Sequence, residues 1–277
     1  MSATPPLVTA PIGMQPPGLP PKGTGLLGAR GLSVQAGGRT LLADLEFVLQ
    51  PGEFLAVLGR NGSGKSLTLH TLAGLRAPAA GTVTLGGKGL AEQARSEIAR
   101  RLAFLPQDRE EALPLSVFEA TLLGRHPHIG WLRGESPQDH AIAHAALERM
   151  GVVDFGARLL ATLSGGEQRR AAMAGLLAQE PQVYLLDEPT NHLDPHHQVD
   201  VLLAFRERCA AGAAVIATLH DPALAERCAD RVLLMHGDGR WRLGSAAEVL
   251  NAEELSLLYA TPMRELSGAG RRAFIPA

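Results

Sequence analysis

The sequence predicts an α/β protein with a mainly parallel sheet, and three observations carry that expectation. Strand-length apolar runs over residues 54–58, 102–105, 183–186, 213–219 and 231–235 alternate with helical stretches, the pattern of a sheet covered by helices on both faces. Between about 108 and 181 the strand signal stops. Helical patterns such as 138–150 and 167–179 take over there, so a helical insertion into the α/β core is expected. Finally, the runs ending at 58, 105, 186 and 219 each lead into polar or glycine-rich residues, and open α/β sheets bind their ligands beyond the carboxyl ends of their strands.

Composition narrows the classes. A chain of 277 residues that is 45% hydrophobic can bury a sizeable core. With 26 Lys+Arg against 28 Asp+Glu it has no basic excess to neutralise a nucleic-acid backbone, so nucleic acid is not an expected partner. Each apolar run is far shorter than the roughly 20 residues needed to cross a bilayer. The first residues lack a basic segment followed by an apolar stretch, so no export signal and a cytosolic residence are expected. Cys209 and Cys228 are too few for a disulfide framework and read as free thiols.

In chain order, residues 1–25 hold seven prolines and almost no charge, and they read as a disordered lead-in to a fold that starts near Leu26. The first strong motif follows the run at 54–58: Gly59-Arg60-Asn61-Gly62-Ser63-Gly64-Lys65-Ser66, then a helical stretch. Glycines at 59, 62 and 64 let backbone N–H groups approach phosphate oxygens, and the helix start adds its positive end. Lys65 is suited to the β and γ phosphates and the Ser66 hydroxyl to Mg²⁺. A flexible turn is the bland alternative, and the strand-loop-helix context argues against it.

Two carboxylates end the strand at 183–186. Asp187 is suited to hold Mg²⁺ through its water shell and Glu188 to polarise an attacking water as general base. Alone, this pair also reads as a charged strand-to-loop turn. His220 ends another strand and is placed to meet a γ-phosphate and orient Glu188, although a lone histidine there is more often structural. Gln107, after the run at 102–105, offers a neutral oxygen to Mg²⁺ or to the water.

A second glycine-rich helix start lies at Leu163-Ser164-Gly165-Gly166-Glu167-Gln168. Ser164 and Glu167 form a capping-box pattern. Two glycines in a first turn sacrifice up to about 1 kcal/mol each of helix propensity, which a plain cap does not need and close approach to a phosphate does.

Taken together, Gly59 to Ser66, Gln107, Leu163 to Gln168, Asp187 with Glu188, Asp194 and His220 resemble the Walker A, Q-loop, signature, Walker B, D-loop and switch-histidine motifs of ATP-binding cassette (ABC) ATPases. The resemblance covers about residues 26–260, with 261–277 left as a short C-terminal extension. It implies a P-loop NTPase (RecA-like) core with an antiparallel β subdomain and the inserted helical subdomain. It further implies ATP and Mg²⁺, with Ser66, Gln107 and Asp187 toward the metal and Asp194 toward the nucleotide. The family pairs two cassettes head to tail, so Ser164, Gly165 and Gly166 are expected to face a partner chain's nucleotide. Transmembrane permease subunits, an indirect substrate-binding protein and a peripheral place on the cytoplasmic face of the inner membrane are implied as well.

Within the family, residues 124–129, 191–194 and 257–259 are similar to ATPases of importers for metal chelates: ferric siderophores, haem or cobalamin. An exporter motor and a soluble, non-transport ABC ATPase are the alternatives. Two positions depart from the family pattern. Ala36 stands where an aromatic residue usually stacks on adenine, with Arg39 nearby as a substitute, and Leu67 replaces a common threonine. The pairs His140/His144 and His196/His197 read as exposed helix positions rather than metal sites.

Overall fold

The computed structural model describes residues 25–107, 114–129, 134–268 and 271–277. The proline-rich lead-in of residues 1–24 lies outside the described residues. The chain enters on a hairpin, β1 (Leu27–Ala36) and β2 (Arg39–Leu49), which turns at Gly37 and Gly38. β1 also pairs antiparallel with β4 (Ala80–Leu85), and with β5 (Lys88–Gly89) these make a sheet in the order β2-β1-β4-β5. The main sheet holds β3 (Phe54–Gly59), β6 (Leu102–Leu105), β7 (Val183–Leu186), β8 (Ala214–Thr218), β9 (Arg231–Met235) and β10 (Trp241–Ser245). Its order is β10-β9-β3-β8-β7-β6, parallel from β9 to β6, with β10 antiparallel to β9.

The strand sequences explain why this sheet lies between two layers. In β3, β7 and β8 every residue is buried, as a parallel sheet covered on both faces requires. Alternate residues go to opposite cores. Phe54, Ala56, Tyr184, Leu186, Val215 and Ala217 pack on one side; Leu55, Val57, Val183, Leu185, Ala214 and Ile216 pack on the other. The second core is closed by the antiparallel sheet through Leu32, Leu45 and Leu49, and by helix α1 (Lys65–Leu72) through Leu69 and Leu72.

α2 (Arg95–Arg101) leads into β6, and the helical insertion follows with α3 (Val117–Leu122), α4 (Pro137–Arg149) and α5 (Gly165–Gln179). The segment 123–128 clasps the far end of α5. Gly124 packs where a Cβ would come 2.2 Å from the Gly175 carbonyl oxygen, so a side chain has no room. Beside it the buried Arg125 donates to the Ala178 carbonyl (2.7 Å), Asp139 (2.9 Å) and Glu180 (3.0 Å). A cation on the last carbonyls of a helix also suits its dipole.

α6 (Pro195–Ala210), α7 (Pro222–Cys228), α8 (Ala246–Val249) and α9 (Ala252–Tyr259) complete the helices. Within 261–277, expected as a short C-terminal extension, β11 (Met263–Gly268) and β12 (Arg271–Pro276) pair antiparallel. The pair is part of the packed body, because Phe274 is buried in the same core as Phe54 and Leu258. Cys209 and Cys228 are buried free thiols, and burial pushes both up to about 12.

Candidate active site

The carboxyl ends of β3, β6, β7 and β8 bring one cluster together. The loop after β3 turns at Gly62 (φ 78) and Gly64 (φ 94), left-handed conformations that suit glycine. α1 then opens at Gly64 with no side-chain cap, so its first N–H groups are not claimed by a neighbouring side chain. Lys65 is buried, and its Nζ donates to the carbonyls of Gly59 (2.8 Å) and Arg60 (3.3 Å). Burial lowers the Lys65 pKa, and the charges of Glu188 and Asp187 oppose that shift.

At the end of β7, Asp187 is fully buried and Glu188 is 5% exposed. Thr218, the last residue of β8, supports both: its Oγ1 donates to Asp187 Oδ1 (2.6 Å) and accepts from the Glu188 N–H (2.7 Å). The Glu188 carboxylate collects three more partners. His220 Nε2 lies 2.5 Å from Oε1, while Gln107 Nε2 (2.9 Å) and Asn191 Nδ2 donate to Oε2. Gln107 in turn accepts from the Ser66 hydroxyl (3.3 Å), tying the loop after β6 to the start of α1.

A cleft of about 420 Å³ opens over these groups. It is lined by Asn61, Gly62, Gly64, Lys65 and Ser66 of the loop and α1, by Gln107 and Glu188, and by Ala36, Arg39, Leu41 and Leu67. No aromatic ring lines it among the described residues. Ala36 and Arg39 are paired across the β1–β2 turn, and both line the cleft.

A hard divalent cation fits this donor set. Ser66, Gln107 and Asp187 present oxygen atoms, as Mg²⁺ requires. Asp187 Oδ2 is buried without a hydrogen-bond partner among the described residues, a position that calls for a ligand.

The remaining expected residues lie elsewhere in the chain. Ser164 and Gly165 are exposed at the start of α5, outside the cleft lining, and Ser164 forms a capping box with Glu167. Gly166 has a reason within the chain too: a Cβ there would come 3.1 Å from the His192 carbonyl oxygen. Asp194 is exposed and caps α6, accepting from the His197 N–H (3.0 Å). His196 pairs with Asp200, and His140 and His144 flank Phe118 on the exposed face of α4.

Four contributors have no site role in the motif reading, although Asn191 and Tyr259 lie within the family-like segments 191–194 and 257–259. Thr218 and Asn191 touch the carboxylates directly. Arg169 holds their backbone from α5, and Tyr259, at the end of α9, donates to the His220 carbonyl (3.3 Å). A hydroxyl at a strand's carboxyl end was the available signal for Thr218.

Fold and site together define a P-loop nucleotide-binding domain of the cassette type. The family described as ABC transporter matches residues 42–191, more than half of the chain, and the chain belongs to that family. It is 44% identical to the hemin import ATP-binding protein HmuV of Gloeobacter violaceus, over 78% of this chain and 80% of that protein. Similarity to the protein of the same name from Streptomyces coelicolor is 40%, over 90% and 87%. Among solved structures, a metal-chelate type ABC transporter in an inward-facing conformation superposes with a TM-score of 0.78 at 28% identity, covering 91% of this chain and 97% of that one.

Proposed function

We propose that this chain is the ATP-hydrolysing subunit of an importer for a metal chelate, acting through separate membrane permease subunits. Relatives named for hemin import make haem the first chelate to test, ahead of ferric siderophores and cobalamin. No helix among the described residues is long and apolar enough to cross a membrane, which suits a subunit that sits peripherally against its permease on the cytoplasmic face.

The observation that carries the reading is the convergence on Glu188 of Gln107, Asn191 and His220 beside the Lys65 loop. Glu188 serves as general base toward the attacking water, and His220 and Gln107 orient it. Lys65 and the N–H groups from Gly62 to Ser66 hold the triphosphate. Ser66, Gln107 and Asp187 hold Mg²⁺, which when bound neutralises charge on the β and γ phosphates. Ser164, Gly165 and Gly166 act on a partner's nucleotide in a symmetric dimer, and Asp194 stands beside that contact.

Glu188→Gln keeps the shape and removes the charge. The expected outcome is retained ATP binding, turnover lower by about 10²–10⁴-fold and an accumulated ATP-bound dimer. Wild-type turnover sinks the assignment. With a co-purified permease, hemin should be bound or taken up by the complex; an equally active complex that ignores every metal chelate overturns the importer reading.

A further inference from the structure

One buried side chain joins α5 to the strand ends that carry the carboxylates. Arg169 lies five residues beyond Ser164 on α5 and is 4% exposed. Its Nη1 donates to the Pro106 carbonyl (2.7 Å), next to Gln107, and its Nη2 donates to the carbonyls of Asp187 and Glu188 (3.0 Å for the latter). Arg170, its neighbour, faces another way, toward the carbonyls of Met150 and Gly151. A single guanidinium therefore spans the ends of β6 and β7, where Gln107, Asp187 and Glu188 all stand.

The contact falls on an unusual piece of backbone. Glu188 has φ 49, in the left-handed region that a residue with a side chain adopts only when its surroundings hold it. Its N–H is held by Thr218 and its carbonyl by Arg169. Those two contacts bracket the residue and fix where its carboxylate points. A planar fork reaches several carbonyls at once, which a lysine ammonium at the end of a flexible stem does not reproduce.

We infer that Arg169 is a positioning residue for the hydrolytic step: it holds Glu188 in its left-handed conformation and ties that aim to the position of α5. A shift at the exposed Ser164 end of α5 is thereby passed to the general base of the same chain. The inference rests on the reading of Glu188 as base, and the experiment separates the two.

Full-length Arg169→Ala, Arg169→Lys and Glu188→Gln are compared with wild type for turnover and for affinity toward a fluorescent ATP analogue. A misplacement of about 1 Å at a reacting group costs on the order of 10²-fold, so Arg169→Ala should lose about that in kcat with affinity within about twofold. Arg169→Lys should lose about tenfold, since one ammonium replaces a fork. Millimolar guanidinium should restore part of the Arg169→Ala rate and leave Glu188→Gln unchanged. Turnover of Arg169→Ala or Arg169→Lys equal to wild type overturns the inference. So does a joint loss of turnover and affinity with no guanidinium recovery, which marks a merely structural role. Should Arg169→Ala fail to fold, Arg169→Lys decides by the same split between kcat and affinity. Wild-type turnover in Glu188→Gln instead removes the base reading, whatever Arg169 does.

Discussion

The starts of α1 and α5 are both glycine-rich helix N-termini, and they differ in what the rest of the chain sets around them. α1 opens without a side-chain cap, beside the buried Lys65, Asp187 and Glu188. α5 opens exposed, with a capping box in which Ser164 accepts from the Glu167 N–H and Glu167 accepts from the Ser164 N–H. The first is a half-site that one chain assembles for itself. The second has a glycine-rich helix start without those surroundings, and in the proposed dimer a partner chain would supply them. The hydrogen bonds of Ser164 also hold the Glu167 carboxyl below its ordinary range.

The comparison breaks most sharply at the two glycine-rich starts themselves. Lys65→Ala removes a buried, charge-assisted contact, and loss of a hydrogen bond to a charged group costs about 1.5–3 kcal/mol, or roughly 10–100-fold in ATP affinity. Gly165→Asp puts a like charge where the proposed dimer would place the partner's phosphate. It should leave ATP affinity of the single chain within a few-fold and lower dimer turnover by at least about 10²-fold. Equal loss of single-chain affinity in both variants, measured by titration, would erase the distinction between the two ends.

A middle-sized effect tests what holds the far end of α5 in place, where Arg125 meets Ala178 and Asp139. Burial pushes the Asp139 carboxyl up, but hydrogen bonds from Ser136 and the Arg125 guanidinium outweigh it and hold the group at about 2. Because the folded value lies below the ordinary one of about 3.9, the stabilisation is fully present above that value and is lost as pH falls through about 2. Asp139→Asn should cost about 2 kcal/mol near neutral pH in urea unfolding. The gap to wild type should narrow as the medium is acidified. A gap that stays constant with pH rules out the carboxylate as its source.

How much of this was legible in the sequence follows from where the information sits. Strands β3, β6, β7, β8 and β9 were readable because continuous burial leaves continuous apolar runs, and the phosphate loop because its glycines and lysine are local in sequence. β1 and β2 left a weak pattern, since register shifts and the left-handed Asp44 (φ 53) break their alternation. Thr218 and Arg169 join the site through tertiary proximity, and spacing along the chain carries no trace of that, whereas Asn191 is only three residues from the Glu188 it bonds. Nor does the sequence mark the backbone conformation of Glu188, which depends on contacts from β8 and α5.

The smallest expected effect lies in the cleft lining, which holds Ala36 and Arg39 and no ring among the described residues. Stacking on a base contributes about 1–3 kcal/mol, and at the low end of that range Ala36→Tyr should tighten ATP binding about fivefold, with GTP serving wild type nearly as well as ATP. If Ala36→Tyr changes nothing while Arg39→Ala weakens binding several-fold, the guanidinium already supplies the platform.

The central claim is that the α5 start serves the nucleotide of the opposite chain. It is tested by mixing isotope-labelled wild type with unlabelled Lys65→Ala, adding an ATP analogue that carries a photoreactive group on its γ-phosphate, and reading the peptide that contains Ser164 by mass spectrometry. Lys65→Ala binds the analogue poorly alone, so its Ser164 peptide should be labelled in the mixture and not in isolation. Labelling of Ser164 confined to chains with an intact Lys65 would contradict the account.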